Sequence, residues 1–163
     1  MGSQSVSLSS IVVGTHYRYP DFYEVGREKV REYAVAVKND DDTFHDEDAA
    51  AKLGHDTLPA PLTFISVFGY QAQTAFFADA NIGIQDEQIV QVDQELKFLR
   101  PIHAGDRLYC DVYLHSIRQA HGTDIIVTKN IITNDKGEAV QESYTTLAGR
   151  SDETGKGFSD GTA

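Results

Sequence analysis

The amino-acid sequence predicts an α+β fold in which an antiparallel sheet curls around one long buried helix. Three observations carry that expectation. The hydrophobic period changes once along the chain, from helical spacing before Gly83 to alternation after it. The most apolar stretch, PLTFISVFGYQAQTAFFADA from Pro61 to Ala80, contains a single charge, Asp79. Strand-like runs follow it, divided by turn residues. Helices first and strands afterwards segregate into layers, and the strands then pair antiparallel.

The ends read as tails. Residues 1–10 are serine-rich, and 151–163 (SDETGKGFSDGTA) are polar and glycine-rich apart from Phe158, so neither buries enough apolar surface to offset its ordering entropy. Residues 11–150 form one domain, with no internal repeat and no linker. From Arg27 to Val37 the positions Val30, Tyr33, Ala34 and Val37 make the stripe of an amphipathic helix. Asp46 to Leu53 is alanine-rich and predicts a second helix, stopped by Gly54. Pro61 suits the first turn of a third. Because the apolar residues of that third helix lie all round it, burial on every side is expected. The runs Ile89–Phe98, Arg107–Ile117, Thr123–Thr133 and Glu138–Gly149 predict strands, with turns at Pro101–Asp106, His121-Gly122 and Asn134–Gly137. In the second run Leu108, Cys110, Val112 and Leu114 alternate with polar or aromatic residues, as in a half-buried strand. An edge strand from Tyr17 to Val25 would complete the sheet.

Charge and composition remove several function classes. The chain has 163 residues, 14 basic against 25 acidic, for a net charge of −11. Such a balance opposes non-specific nucleic-acid binding, which depends on lysine and arginine neutralising phosphates. No apolar run approaches the roughly 18 residues that span a bilayer, and MGSQSVSLSS has no basic segment leading into an apolar one. No membrane insertion and a cytoplasmic location are therefore expected. The lone cysteine, Cys110, excludes a disulfide framework and falls on the apolar alternation, the place of a buried structural thiol. Six histidines are present, none in an HxH or HExxH arrangement, so no metal is expected. The absence of GxSxG, a Walker loop and a GxGxxG after a strand removes the commonest hydrolase and nucleotide readings, and no cofactor is expected.

One segment draws attention to chemistry, YAVAVKNDDDTFHDEDAAAKLGH from Tyr33 to His55. A helix runs into a cluster of acids, with His45 five positions after Asp40. A carboxylate and an imidazole so placed can do general acid–base work. The competing reading is a solvated acidic loop with a surface histidine, and spacing leaves both open.

The order of these segments resembles the MaoC-like (R)-specific enoyl hydratases and dehydratases of the hot-dog fold. It is most similar to the small dehydratase subunits of the type II fatty acid synthase in mycolic-acid-producing bacteria. The resemblance is carried by HYRYPDFYEVGREKVREYAVAVKNDD (His16–Asp41), APLTFISVFGYQAQTAFF (Ala60–Phe77), QIVQVDQELKFLRPIHAGDRLYCDVY (Gln88–Tyr113), AHGTDIIVTKNIITND (Ala120–Asp135) and ESYTTLAGR (Glu142–Arg150). The ending GFSDGTA (Gly157–Ala163) resembles HadA-type subunits in particular.

The resemblance implies a (3R)-hydroxyacyl-[acyl carrier protein] dehydratase of mycolic acid elongation, built as a heterodimer with a HadB-type hot-dog subunit. In that family a histidine takes a proton from C2 while an aspartate helps water leave from C3. Backbone N–H groups at the start of the buried helix hold the thioester carbonyl. Counting from Tyr33 in the hydratase pattern places Asn39 and Phe44 at the dyad positions, where neither an amide nor a phenyl ring can transfer the proton. Asp40 and His45 keep the mutual spacing but stand one residue late. The expectation is a chain without a dyad, whose partner supplies it.

Its own contribution is then a substrate groove along the buried helix, at Phe64, Ser66, Phe68, Gly69, Tyr70, Phe76 and Phe77, for the alkyl tail of the acyl chain. A local basic patch drawn from Lys97, Arg100, Arg107 and Arg118, with Arg100 and Arg107 foremost, would dock the acidic carrier protein. Two rivals remain: a self-sufficient homodimeric hydratase using Asp40 and His45, and an acyl-binding or assembly protein with no part in turnover.

Overall fold

The structure, a computed structural model, describes residues 13–80 and 89–150. The tails expected at 1–10 and 151–163 lie outside the described residues. The elements are strand β1 (His16–Arg18), strand β2 (Tyr23–Glu24), helix α1 (Arg27–Ala36), helix α2 (Glu47–Lys52), helix α3 (Ser66–Asp79) and four long strands. The strands are β3 (Ile89–Phe98), β4 (Arg107–Ala120), β5 (Thr123–Thr133) and β6 (Ala139–Arg150). They form one antiparallel sheet in the order β1-β4-β5-β6-β3, with β2 also pairing β4. The expected architecture is present.

Local chemistry explains the element ends. Asp46 caps α2, its carboxylate accepting from the Ala49 N–H at 2.9 Å, and Gly54 follows the helix at φ +88°. His121 and Gly122 both have positive φ (51° and 74°), which makes the β4–β5 turn match the twist of its strands. Bulges interrupt the ladders between Gln91 and Asp93 and between Leu114 and Ser116, where they add local twist and bend to the strands. The expected edge strand at 17–25 is split into β1 and β2, because Pro20 has no N–H to give a ladder.

Helix α3 corrects one expectation. It is preceded by a 3-10 turn, Leu62–Ile65, and it is not buried all round. Phe64, Phe68, Ala72, Phe76 and Phe77 are buried in the core, whereas Leu62 (65% exposed) and Tyr70 (63%) stay largely exposed. An all-round apolar pattern predicts burial only if every face meets protein, and among the described residues one side of α3 is left exposed. On the inward side the helix rests on β4, where Leu108, Cys110, Val112 and Leu114 are fully buried. Aromatic rings from the N-terminal segment and α1 close the core: Tyr19 meets Phe68 edge-on at 5.4 Å, Tyr23 stacks on Phe68 at 5.3 Å, and Tyr33 meets Phe64 at 5.4 Å. Cys110 sits in this core, and burial pushes its thiol up to about 12, so it is protonated and inert at neutral pH.

Candidate active site and acyl groove

Two cavities follow one another along the β3–β6 ladder, the inner one between it and α3 and the outer one between its end and residues 41–62. Cross-strand pairs give their order: Phe98 opposite Gln141 borders the outer cavity, while Leu96 opposite Ser143 and Gln94 opposite Thr145 border the inner one. The outer cavity holds about 450 Å³ and the inner about 330 Å³, both within the usual size of small-molecule sites.

The outer cavity is mostly apolar, with Phe44, Leu53, Leu62, Phe98, Leu99 and Ile102 among its lining. Its wall is a short non-strand ladder in which the Ala60 N–H donates to Ile102 O at 2.7 Å and the Ala104 N–H to Leu58 O at 2.8 Å. His55 borders the cavity and shares a hydrogen bond with His103, Nδ1 to Nε2 at 2.9 Å. The start of the 3-10 turn before α3 opens onto the same space at Pro61 and Leu62.

The residues at the dyad positions separate in this frame. Phe44 lines the outer cavity. His45 does not, and its Nε2 lies 2.9 Å from the carbonyl of Asn39. Asp40 is exposed and also off the cavity, while Asn39 Oδ1 accepts from the Asp41 N–H at 3.2 Å. Asp41 is the carboxylate that reaches the cavity, but it caps the 3-10 turn Asp42–Phe44, and bonds from the Thr43 side chain and N–H hold it below the usual carboxylate range. Among the described residues no cluster of three or more His, Cys, Asp or Glu could hold a metal.

The predicted groove residues divide in two. Ser66, Gly69 and Tyr70 line the inner cavity. Phe64, Phe68, Phe76 and Phe77 are buried in the core and line neither cavity, because they occupy the helix face turned to β4. What sequence reasoning missed is the polarity of the inner cavity. Gln73 from α3, Gln94 from β3, Asn130 from β5, and Ser143 and Thr145 from β6 all face it. Thr128 donates its hydroxyl to Gln73 Oε1 at 2.8 Å beside them. A signal was present: Thr128 and Asn130 are in phase with Ile126 and Ile132, so alternation alone puts them on the inward face.

The cations do not form a single patch. Arg100 lines the outer cavity and lies 3.7 Å from Glu138, and Arg107, at the same end of the sheet, lies 3.9 Å from Glu24. Lys97 sits near Glu95 at 3.6 Å. Arg118 is near the opposite end of β4, which removes it from any surface shared with Arg107.

A curled antiparallel sheet carrying one long helix, with a groove between them, defines this chain as a hot-dog protein of MaoC-like architecture. Residues 11–143 match the FAS1-like dehydratase domain region family, and the chain belongs to that family. It is 67% identical over 158 residues to a UPF0336 protein of Mycobacterium tuberculosis (strain ATCC 25618 / H37Rv), covering 97% of this chain and 100% of that protein. Among solved structures it is similar to a chain of the C-terminally truncated HadBC (3R-hydroxyacyl-ACP dehydratase) complex of Mycobacterium tuberculosis. That likeness has a TM-score of 0.81 and 47% identity, over 87% of this chain and 100% of that one. A MaoC-like dehydratase is similar at a TM-score of 0.78 and 40% identity, over 85% of this chain and 42% of that one.

Proposed function

We propose that this chain is the non-catalytic, acyl-chain-binding subunit of a heterodimeric (3R)-hydroxyacyl-[acyl carrier protein] dehydratase in mycolic acid elongation. A HadB-type hot-dog partner supplies the Asp/His dyad: its histidine takes the C2 proton while its Asp, as the carboxylic acid, gives a proton to the C3 hydroxyl, which leaves as water. The observation that carries this reading is the side chain presented to the outer cavity at the dyad loop, the phenyl ring of Phe44, with the imidazole of His45 engaged at Asn39 O instead. Similarity to a chain of the HadBC complex supports a dehydratase assembled from two hot-dog chains.

The partner has a surface to meet. β3 pairs with β6 on one side, and among the described strands none pairs with its other side. Val90 (64% exposed) and Val92 (57%) lie on that strand, and Phe98 and Leu99 extend the exposed apolar surface at its end. An unpaired strand edge with apolar residues along it invites another strand. The groove between α3 and β3 then runs beside the junction, where a partner's dyad can reach the substrate.

An assay of this chain alone, of the partner alone and of both co-expressed tests the function. Hydration of a trans-2-enoyl thioester is expected to be undetectable with this chain alone and strong when it is co-expressed with its partner. Robust turnover by this chain alone would establish the rival that uses Asp40 and His45.

Arg100 at the outer mouth, with Arg107 on the same end, receives the acidic carrier protein. In the assembled enzyme Arg100→Glu is expected to raise KM for carrier-bound substrate about tenfold, the equivalent of about 1.4 kcal/mol, while KM for a pantetheine thioester stays put. An unchanged KM for the carrier-bound form would reject the docking surface.

A further inference from the structure

We propose that the inner cavity recognises the hydroxyl of the substrate, with Asn130 Oδ1 as the acceptor of its O–H. The proposal rests on the acyl-binding reading above and adds to it the part of the acyl chain that this subunit selects. Asn130 is 3% exposed and borders the cavity. Its Nδ2 donates to Gly69 O at 3.3 Å, which fixes the orientation of the amide, since the flipped form would set two acceptors against each other. Among the described residues that orientation leaves Oδ1 without a hydrogen-bond partner. Buried acceptors left unpaired are uncommon, and each calls for a donor.

The surroundings argue for a hydroxylated ligand over a plain alkyl chain. Ser66, Gln73, Gln94, Ser143 and Thr145 reach the same space from three elements. An unsubstituted chain would strip these groups of water and return no hydrogen bond. A 3-hydroxyacyl chain brings one O–H donor, which its saturated counterpart and its enoyl product both lack. Gly69 brings the helix close enough for this arrangement: a Cβ there would meet Asn130 Nδ2 at 3.4 Å. A site built to bond a hydroxyl discriminates strongly against the analogue that lacks it. Asn130 is therefore a substrate-recognition residue that favours uptake of the hydroxyacyl form and release of the dehydrated one.

Calorimetric titration of the full chain with (3R)-3-hydroxydodecanoyl pantetheine and with dodecanoyl pantetheine tests this. The hydroxylated thioester is expected to bind at least tenfold more tightly. Asn130→Leu is expected to bring the ratio close to one by weakening only the hydroxylated ligand. Equal affinities in the unaltered chain would overturn the proposal and leave the acyl-binding reading standing, and that comparison needs no variant to fold. Failure of both thioesters to bind would overturn the acyl-binding reading and the proposal together.

Discussion

Phe68→Ala is expected to destabilise the fold by about 3–5 kcal/mol, the range for deleting a buried phenylalanine ring. Phe68 is 1% exposed on the inward face of α3, and its ring is held by Tyr19 on one side and Tyr23 on another. Those two tyrosines belong to the N-terminal segment that runs along β4, so the ring ties helix, sheet and N-terminal strands together. Neither tyrosine can swing into the void freely, because the Tyr19 hydroxyl accepts from Gln71 Nε2 at 2.8 Å and Tyr23 is fixed in the β2–β4 ladder. For a domain of this size the loss corresponds to a fall in Tm of about 6–20 °C. Thermal unfolding followed by circular dichroism measures it. A fall of only a degree or two would show that the aromatic cluster closes over the gap and that the core is held elsewhere.

The second large effect is expected at the open side of β3. Val90→Lys combined with Val92→Lys should weaken association with the partner about 100-fold, or about 2.7 kcal/mol, without lowering the Tm of the isolated chain. Both valines are well exposed and line neither cavity, so the folded chain loses little when they become charged. Lysine on an edge strand is a standard obstacle to pairing with another strand, since the approaching chain must bury the ammonium. Analytical ultracentrifugation of the co-purified complex reads the result. An intact complex carrying both lysines would place the partner on another surface.

The architecture was legible in the sequence because its signals are local and repeated. The switch from helical spacing to alternation falls between α3 and β3, and the turn residues His121-Gly122 sit at the hairpin they predict. Less legible was the burial of α3. Its apolar residues surround the axis, yet Tyr70 and, in the turn before it, Leu62 stay exposed, because an apolar pattern does not say which faces meet protein. The candidate site was legible in part. Ser66, Gly69 and Tyr70 border a cavity, whereas Phe64, Phe68, Phe76 and Phe77 went to the core, because phenylalanines that suit a lipid groove suit a helix–sheet interface equally well. Asn130 and Thr128 were overlooked since polar residues on a strand are first assigned to water, even when their phase with Ile126 and Ile132 places them inside.

The unclaimed side of β3 bears on how much of this polypeptide a cell can safely hold. Its backbone donors and acceptors bond to whichever extended segment arrives first, a second copy or a half-folded stranger included. If the proposed partner pairs there, matched synthesis of the two subunits, with assembly close behind translation, would keep such adhesive surplus from accumulating.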